Sequence, residues 1–333
     1  MLSRSRRDAL VLDMSSVVCI TGASGYIASH IVAQCLEKGM TVRATVRDPT
    51  AAEKVDHLKL LPGASERLTL FAADCTVAGS FDAAIAGCDA VIHTACPVVF
   101  GAGAAGEQKI YEPAMRGTES VLSAIRKQGG SVRTLVMTSS MSAVAPVPEP
   151  ALKSEAHWSD PDLQKSKDNW YGAAKTCTEQ LVLAAMGRGD HAFGRFVAIC
   201  PTGVFGPMLQ PGVNATMGWI ASLAKGAKEQ AGNDSMSFVD VRDCAAMHVA
   251  GVLDAGASGR YMSLVESLHW NEIFVMLKEL HPSMPAVKPC DGEPVTPTKF
   301  DTTRMDSLGV QVRSVRTILA DALADLKAKG ALE

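Results

Sequence analysis

A tyrosine and a lysine four residues apart are the side chains in this sequence best suited to proton chemistry. Tyr171 and Lys175 lie one turn apart on the same face of a predicted helix. A nearby ammonium group favours the phenolate form of a tyrosine, so the pair could give a proton to a developing alkoxide. The alternative is that Tyr171 is a surface aromatic and Lys175 its solvated neighbour.

Two serines precede this helix, at the end of a predicted strand. Ser139 and Ser140 close the segment TLVMTSS, and open α/β sheets bind their ligands at the carboxyl ends of strands. A hydroxyl there can donate to a carbonyl oxygen on which charge develops. The ordered set predicts hydride transfer to a carbonyl, with Tyr171 as the acid, Ser140 as the donor to oxygen and Lys175 on the nicotinamide ribose.

A glycine-rich turn near the start of the sequence is the second motif. In VVCITGASGYIASH, Gly22, Gly25 and Ala28 lie where a strand turns into a helix. Glycines at such a turn let the backbone approach a pyrophosphate that lies on the helix N-terminus. The motif predicts dinucleotide binding, and the alternative is a purely structural glycine turn.

The second strand indicates which dinucleotide is bound. NAD-binding folds usually carry an acidic residue about 20 residues after the glycines. Here TVRATV is followed by Arg47, and Asp48 with Pro49 is expected to begin the next helix as its cap and first residue. Arg47, with Arg43 and Lys54 nearby, suits a 2′-phosphate, which predicts NADPH. The alternative is that Arg43 and Arg47 only project into solvent.

Alternating strand and helix patterns predict the scaffold between residue 17 and about residue 200. The predicted strands are Val17–Thr21, Thr41–Val46, Leu68–Ala72, Ala90–His93, Thr134–Thr138 and Phe196–Ile199, and the predicted helices are Ile27–Lys38, Ala51–Leu61, Phe81–Ala86, Glu112–Lys127 and Tyr171–Met186. Such alternation is typical of βαβ units. We expect an α/β fold, a Rossmann doubly wound parallel sheet with helices on both faces and a smaller C-terminal substrate lobe.

Three segments are expected along the chain. Residues 1–15 form an N-terminal extension, residues 16–200 the dinucleotide-binding domain, and residues 201–333 mainly the substrate lobe, from which about 237–263 returns to the Rossmann core. The first residues could be a short transit-like segment. The favoured interpretation is that Met14 is the natural start.

Composition excludes several classes of protein. The formal net charge is -3 with no long run of like charge, so no nucleic-acid or membrane-surface partner is expected. No apolar run reaches the roughly 18 residues of a membrane-spanning helix. The nine cysteines are spread singly without a C-x-x-C pair, which indicates neither a zinc site nor a disulfide framework. We expect a cytoplasmic protein without a metal.

From about residue 16 to residue 330 the sequence resembles the extended short-chain dehydrogenases/reductases. The matching stretches are TGASGYIASH, VRATVRDP, LFAADC, EPAMRGT, VMTSS, NWYGAAKT, PTGVFGP and FVDVRDCA. They are specific to the branch of dihydroflavonol reductase, cinnamoyl-CoA reductase and microbial aldehyde or ketone reductases. The resemblance implies that Ser140, Tyr171 and Lys175 are the catalytic residues.

The resemblance also implies where the cofactor lies. Arg47 and Lys54 meet the 2′-phosphate, and Asp74 lies beside the adenine, although a capping role would fit Asp74 almost as well. The remaining expected cofactor contacts are Gly22, Ser24, Gly25, Tyr26, Ile27, Cys75, Thr94, Ala95, Thr138, Tyr171, Lys175, Pro201, Gly203 and Val204. Pro97, Phe100, Met141, Ala145, Phe205 and Met208 are candidate substrate contacts, and each could equally be ordinary core.

One departure from the branch bears on the substrate. Flavonoid reductases carry an asparagine a few residues after the catalytic serine, and Ala145 stands at that position here. The expected function is therefore NADPH-dependent reduction of an apolar aldehyde or ketone, by a monomer or homodimer. The alternatives are a cinnamoyl-CoA or dihydroflavonol reductase, an NAD-dependent sugar-nucleotide epimerase or dehydratase, and a non-catalytic NADPH sensor.

Overall fold

Seven parallel strands form the main sheet of the protein. The structure, a computed structural model, describes residues 12, 13, 15–97 and 103–333. Its strands are β1 (Val17–Thr21), β2 (Thr41–Val46), β3 (Leu68–Ala72), β4 (Ala90–His93), β5 (Thr134–Thr138), β6 (Arg195–Pro201), β7 (Gly203–Phe205), β8 (Ser235–Asp240), β9 (Gly259–Ser263) and β10 (Ser267–His269). The main sheet has the order β3-β2-β1-β4-β5-β6-β9. Because every neighbouring pair is parallel, the strands all end at one edge of the sheet.

Helices connect these strands and cover both faces of the sheet. They are α1 (Tyr26–Glu37), α2 (Ala52–Lys59), α3 (Ala64–Arg67), α4 (Asp82–Ile85), α5 (Glu112–Arg126), α6 (Pro161–Ser166), α7 (Trp170–Gly187), α8 (Ala215–Ala224), α9 (Val241–Leu253), α10 (Trp270–Leu280), α11 (Thr303–Asp306) and α12 (Val315–Ala328). A π-helical turn, Glu107–Tyr111, leads directly into α5. No helix in the described part of the chain has the length and apolar character needed to cross a membrane.

The central strands are buried on both faces, and alternate residues of one strand meet different helices. On β5, Val136 belongs to the core shared with α1 and α9. Its neighbours Leu135 and Met137 belong to the core shared with α4, α5 and α7. Successive side chains of a strand point to opposite faces of the sheet, so a parallel sheet covered by helices on both faces needs apolar residues at every position. The predicted Rossmann fold is confirmed.

The bounds of the first elements agree closely with the sequence patterns, with one error. Five of the six predicted strands have the predicted ends, and the sixth lies within β6. The prediction that Asp48 caps the second helix is wrong. Its carboxylate accepts from the amide and hydroxyl of Thr50 at 2.8 and 2.6 Å, closing a turn before α2 begins. The extension 1–11, Met14 and Phe100 lie outside the described residues.

After β6 the chain builds a smaller lobe. β7 and β8 pair in parallel and β10 joins β8 antiparallel. Helices α8, α10 and α12 enclose an apolar core on this sheet. In between, α9 packs on α1 and β9 pairs with β6, so the chain returns to the main sheet before it completes the lobe.

Two candidate substrate contacts lie inside the core of this lobe. Phe205 is fully buried, with its ring centroid 5.3 Å from that of Phe238 and 6.2 Å from that of Trp219. Met208 is 4% exposed in the same cluster. Neither side chain presents surface to a bound molecule, which supports the alternative that both are ordinary core residues.

Replacement of Phe205 by alanine tests this assignment. We expect Phe205→Ala to lower the free energy of unfolding by about 3–5 kcal/mol, because it removes a fully buried ring and leaves a cavity. Urea unfolding followed by circular dichroism measures the change. The control Val275→Ala, at a side chain that is 59% exposed, should change the free energy by about 0.5 kcal/mol or less. A loss for Phe205→Ala no larger than for this control contradicts the core assignment.

Candidate active site

A buried lysine joins the helix α7 to the end of the strand β5. The Lys175 ammonium donates a hydrogen bond to the carbonyl oxygen of Thr138 at 2.9 Å, and the residue is 4% exposed. Its Nζ atom lies 5.8 Å from the ring centroid of Tyr171. Burial alone would lower the pKa of Lys175, but Cys96 and Tyr171 outweigh it and raise that pKa above its ordinary value. The lysine therefore stays a cation beside the tyrosine.

The two serines after β5 have different surroundings. The Ser139 hydroxyl donates to the Glu179 carboxylate at 2.6 Å, inside the protein. The Ser140 oxygen accepts from the amide of Ser142 at 3.1 Å. A hydroxyl oxygen that accepts in this way keeps its own proton for another partner. This geometry favours Ser140 over Ser139 as the donor to a substrate.

A buried ion pair contacts both the serine segment after β5 and the helix α7. The Glu179 carboxylate lies 2.6 Å from the Arg260 guanidinium, and neither residue is more than 8% exposed. Burial raises the pKa of Glu179 above its ordinary value, although Arg260 and Ser139 act in the opposite direction. The guanidinium also lies 3.7 Å above the ring of Trp158. Helix α7 is thus tied to β9 and to the serine segment.

Further hydrogen bonds from Arg260 hold the chain that follows Ser140. Its guanidinium donates to the carbonyl oxygens of Ala143 at 2.8 Å, Glu155 at 2.9 Å and His157 at 2.5 Å. The Glu155 carboxylate in turn accepts from the amide of Met262 at 3.0 Å. The segment between Ser140 and α6 is therefore anchored to β9.

His248 on α9 is a buried neutral group next to Lys175. Its Nδ1 atom donates to the carbonyl oxygen of Cys244, so Nε2 accepts from the hydroxyl of Thr138, both at 2.7 Å. Burial, with a smaller contribution from the Lys175 charge, lowers the pKa of His248 to about 4. The imidazole thus fixes the Thr138 side chain on the same residue whose carbonyl binds the lysine.

His93 at the end of β4 has a similar environment. Its Nε2 atom donates to the hydroxyl of Thr118 at 3.3 Å and its Nδ1 atom accepts from Thr21 at 2.9 Å. The Thr21 hydroxyl oxygen accepts from the backbone amides of Thr94 and Ala95 at 3.1 and 3.0 Å. Burial and then Lys175 lower the pKa of His93 to about 3. A neutral histidine thereby positions the segment after β4.

The side of Tyr171 that faces α5 is apolar. Tyr171 packs with Cys96, Tyr111 and the buried residues Ile110 and Ala114. The described residues include no cluster of three or more histidine, cysteine or carboxylate side chains that could bind a metal ion. The buried residues Ile110 and Ala114 support the ring of Tyr171 from within the protein, and Cys96 and Tyr111 are half-buried.

The glycine turn closes against the segment after β4. Gly22 has a φ of +66°, and a Cβ atom there would lie 3.0 Å from the Cα atom of Ala95. Gly25 precedes α1, whose first turn has no side-chain cap and no acidic residue. Free amides in an uncapped first turn are suited to a phosphate. The turn therefore fits the diphosphate of a dinucleotide.

Arg47 is exposed at the end of β2, opposite Asp74. The Asp74 carboxylate accepts from the amide and hydroxyl of Thr76 at 2.7 and 2.6 Å, which lowers its pKa, and Arg47 adds to the effect. Asp74 thus closes a turn, and because the next helix, α4, begins only at Asp82, the alternative that Asp74 caps a helix is wrong. The Arg43 guanidinium is used differently, since it bonds the carbonyl oxygen of Ala86 and lies over Phe71.

The other predicted residues lie around these groups. Lys54 is exposed on α2, while Cys75 packs against Gly117 and burial raises its pKa to about 11. Tyr26 is tied to the lobe, because its hydroxyl donates to the carbonyl oxygen of Gly206 at 2.7 Å. Ser24 lies within the glycine turn and Ile27 in the first turn of α1, and Pro201, Gly203 and Val204 lie at the end of β6 and in β7. Pro97 and Met141 are half-buried, and Ala145 is exposed.

Comparison with known proteins identifies the family. The profile of the NAD dependent epimerase/dehydratase family matches residues 18–263. The chain belongs to this family. Within it, the chain is 38% identical to cinnamoyl-CoA reductase 1 of Petunia hybrida over 322 residues, which cover 95% of this chain and 93% of the relative. It is 34% identical to tetraketide alpha-pyrone reductase 2 of Arabidopsis thaliana over 319 residues, which cover 94% of this chain and 98% of the relative.

A solved structure agrees with this placement. Vestitone reductase from alfalfa superposes with a TM-score of 0.80 at 27% identity, covering 96% of this chain and all of that one. The predicted resemblance to the extended short-chain dehydrogenases/reductases, on the cinnamoyl-CoA reductase branch, is confirmed. As a member of the NAD dependent epimerase/dehydratase family on that branch, the protein is an oxidoreductase that works with a nicotinamide dinucleotide.

The structure adds residues that sequence analysis did not assign to the site. His248 and Arg260 hold the serine and lysine segments from α9 and β9, and Gln164 contacts both segments from α6. His248 and Arg260 lie about 70 to 120 residues from the segments they contact, so no local pattern points to them. Gln164 is nearer, but an isolated glutamine between two motifs carries no signal in a single sequence.

The titration of His248 gives a pH-dependent contribution to stability. A histidine whose pKa falls from 6.5 to about 4 on folding is neutral in the folded protein and gains a proton on unfolding below pH 6.5. Its contribution is complete above pH 6.5 and is lost as the pH falls towards 4. His248→Gln keeps an acceptor for Thr138 and cannot titrate. We expect the free energy of unfolding of the wild type, relative to this variant, to fall by about 1–2 kcal/mol between pH 7 and pH 5.

Urea unfolding at half-unit pH intervals measures this difference. Contributions from all other groups cancel when the variant is subtracted from the wild type. Parallel curves for the two proteins over this range contradict the assignment of a neutral, buried imidazole.

Proposed function

We propose that the protein is an NADPH-dependent reductase of an apolar aldehyde or ketone. The observation that carries the proposal is the convergence of Ser140, Tyr171 and the buried Lys175 at the edge of the sheet where the glycine turn also lies. NADPH, when bound, supplies a hydride to the carbonyl carbon. The residues of this chain bind the oxygen and provide its proton.

The roles of the three residues follow from their surroundings. Ser140 keeps its hydroxyl proton for a carbonyl oxygen. The Tyr171 hydroxyl gives its proton to that oxygen as negative charge develops there. The Lys175 ammonium is held in position by its hydrogen bond to Thr138, and its charge favours the phenolate that remains on Tyr171. The half-buried residues Cys96 and Tyr111, which pack in the same cluster as Tyr171, support an apolar substrate.

The choice of NADPH over NADH is supported by Arg47. No residue in the described ranges pairs with its guanidinium in a hydrogen bond or ion pair, and the residue is exposed at the end of β2. Lys54, also exposed, follows on α2. The extra phosphate would bind there by charge-assisted hydrogen bonds. Diphosphate binding would fall to the amides of the glycine turn, with Gly22 and Gly25 providing the room.

An aromatic acyl-CoA thioester is the second candidate substrate. The relatives include cinnamoyl-CoA reductases at 35–38% identity, and each of these alignments covers 95% of this chain. Oxidation of NADPH can be followed with a panel that contains aromatic aldehydes, aliphatic ketones, a dihydroflavonol and a cinnamoyl-CoA thioester. Turnover of simple carbonyls supports the proposal, and turnover of the thioester alone favours the second candidate.

Replacement of Tyr171 by phenylalanine tests the proton donor. We expect Tyr171→Phe to lower kcat by about 10²–10⁴-fold, since it removes the acid and keeps the ring. The Kd of NADPH is measured by quenching of tryptophan fluorescence. It should stay within about twofold of wild type, because the substitution removes only the hydroxyl group and an effect confined to kcat marks an interaction made in the transition state. Loss of NADPH binding in step with kcat would mean that the tyrosine is structural and that the proposed role is wrong.

A matched pair of arginine variants tests the cofactor preference. We expect Arg47→Gln to lower kcat/KM for NADPH by about 10- to 100-fold and to leave kcat/KM for NADH nearly unchanged, because one charge-assisted contact to phosphate is lost. Arg43→Gln is the control, since that guanidinium already bonds Ala86. An unchanged NADPH to NADH ratio in Arg47→Gln would show that the 2′-phosphate binds elsewhere.

A further inference from the structure

The Gln164 side chain spans the two catalytic segments. Its amide nitrogen donates to the carbonyl oxygen of Ser142 at 2.7 Å, two residues after Ser140. Its amide oxygen accepts from the hydroxyl of Thr176 at 2.9 Å, one residue after Lys175. One side chain on the short helix α6 therefore connects the serine segment to the helix that carries the tyrosine and lysine.

The orientation of this amide is fixed by its partners. The Ser142 carbonyl can only accept, so the side of the amide that faces it must be the nitrogen. The backbone carbonyl of Gln164 also accepts from the amide of Asn169, the cap of α7, at 2.9 Å. A Cβ atom at Gly172 would lie 2.6 Å from the Gln164 amide nitrogen. The glycine next to Tyr171 thus leaves the space that the glutamine fills.

The contact with Ser142 acts directly on the catalytic serine. The Ser142 amide donates to the Ser140 hydroxyl oxygen, so a shift of residue 142 changes the direction of that hydroxyl. Ser159 holds the same carbonyl of Ser142 from another side at 2.6 Å and accepts from the amide of Ala145 at 2.8 Å. Gln164 differs from Ser159 because its other end is bonded to α7.

We propose that Gln164 is a positioning residue that fixes the Ser140 hydroxyl relative to the Tyr171 hydroxyl. The inference rests on the proposed function, in which both hydroxyls act on one carbonyl oxygen. Two donors that must meet the same oxygen tolerate little displacement, and an error of about 1 Å can cost about 100-fold in rate. Gln164 contacts neither the glycine turn nor Arg47, so cofactor binding does not depend on it.

Three variants separate positioning from general stability. Gln164→Met has a similar length and makes neither hydrogen bond. Gln164→Glu can still accept from Thr176, but its ionised carboxylate cannot donate to Ser142. Ser166→Ala is the matched control on the same helix, because within the described residues the Ser166 hydroxyl bonds only the carbonyl oxygen of Leu163. Kinetics, NADPH binding and the thermal midpoint Tm are measured for each variant and for the wild type.

We expect Gln164→Met to lower kcat by about 10- to 100-fold, with the Kd of NADPH and the Tm close to wild type. Ser166→Ala should match the wild type in all three measurements. In Gln164→Glu, the ratio of its kcat to that of the wild type should rise as the pH falls, because a protonated carboxyl can again donate to Ser142. Circular dichroism at each pH confirms that the folded fraction is constant.

The outcomes distinguish this inference from the proposed function. Turnover by the wild type together with a kcat for Gln164→Met within twofold of it overturns the positioning role alone. Absence of wild-type turnover with every carbonyl in the panel overturns the proposed function and the positioning role with it. If Gln164→Met does not fold, Gln164→Glu decides, and a kcat ratio that does not change with pH overturns the inference.

Discussion

The hydrogen bond from the Lys175 ammonium to the Thr138 carbonyl oxygen is the interaction on which the site depends. It places a cation inside the protein, where an unpaired charge would cost many kcal/mol. The carbonyl that stabilises it belongs to the last residue of β5, and the register of β5 with β4 and β6 sets its position. The centre of the main sheet thereby determines where the helix α7, and with it Tyr171, can lie.

Other buried polar groups near the lysine are arranged so that they add no unbalanced charge. His93 and His248 are neutral because of burial, and the Lys175 charge works in the same direction. Glu179 is buried against Arg260, and its remaining oxygen accepts from Ser139. Hydrogen bonds and ion pairs are stronger inside a protein than in water. Those around the lysine draw on β4, β5, β9, α7 and α9.

The sequence predicted the parts of the fold that follow from local patterns. Strand and helix periods located β1 to β6 and the helices between them except the short α3 and α6, and the motifs located Ser140, Tyr171 and Lys175 on adjacent elements. The burial of Phe205 and Met208 could not be predicted, since it depends on β8, α10 and α12 packing over a glycine- and proline-rich loop. Asp48 failed as a cap because a threonine two residues later offers its carboxylate closer donors.

The C-terminal lobe is not a continuous piece of chain. After β6 the chain forms β7, α8 and β8, returns to the main sheet as α9 and β9, and leaves again for β10 and α10. Helix α11 then packs on β9 before α12 closes the lobe. No single cut separates the lobe from the sheet. The lobe can therefore diverge by substitutions and by changes in loop length within the chain, whereas its exchange as a module between relatives would require several simultaneous junctions.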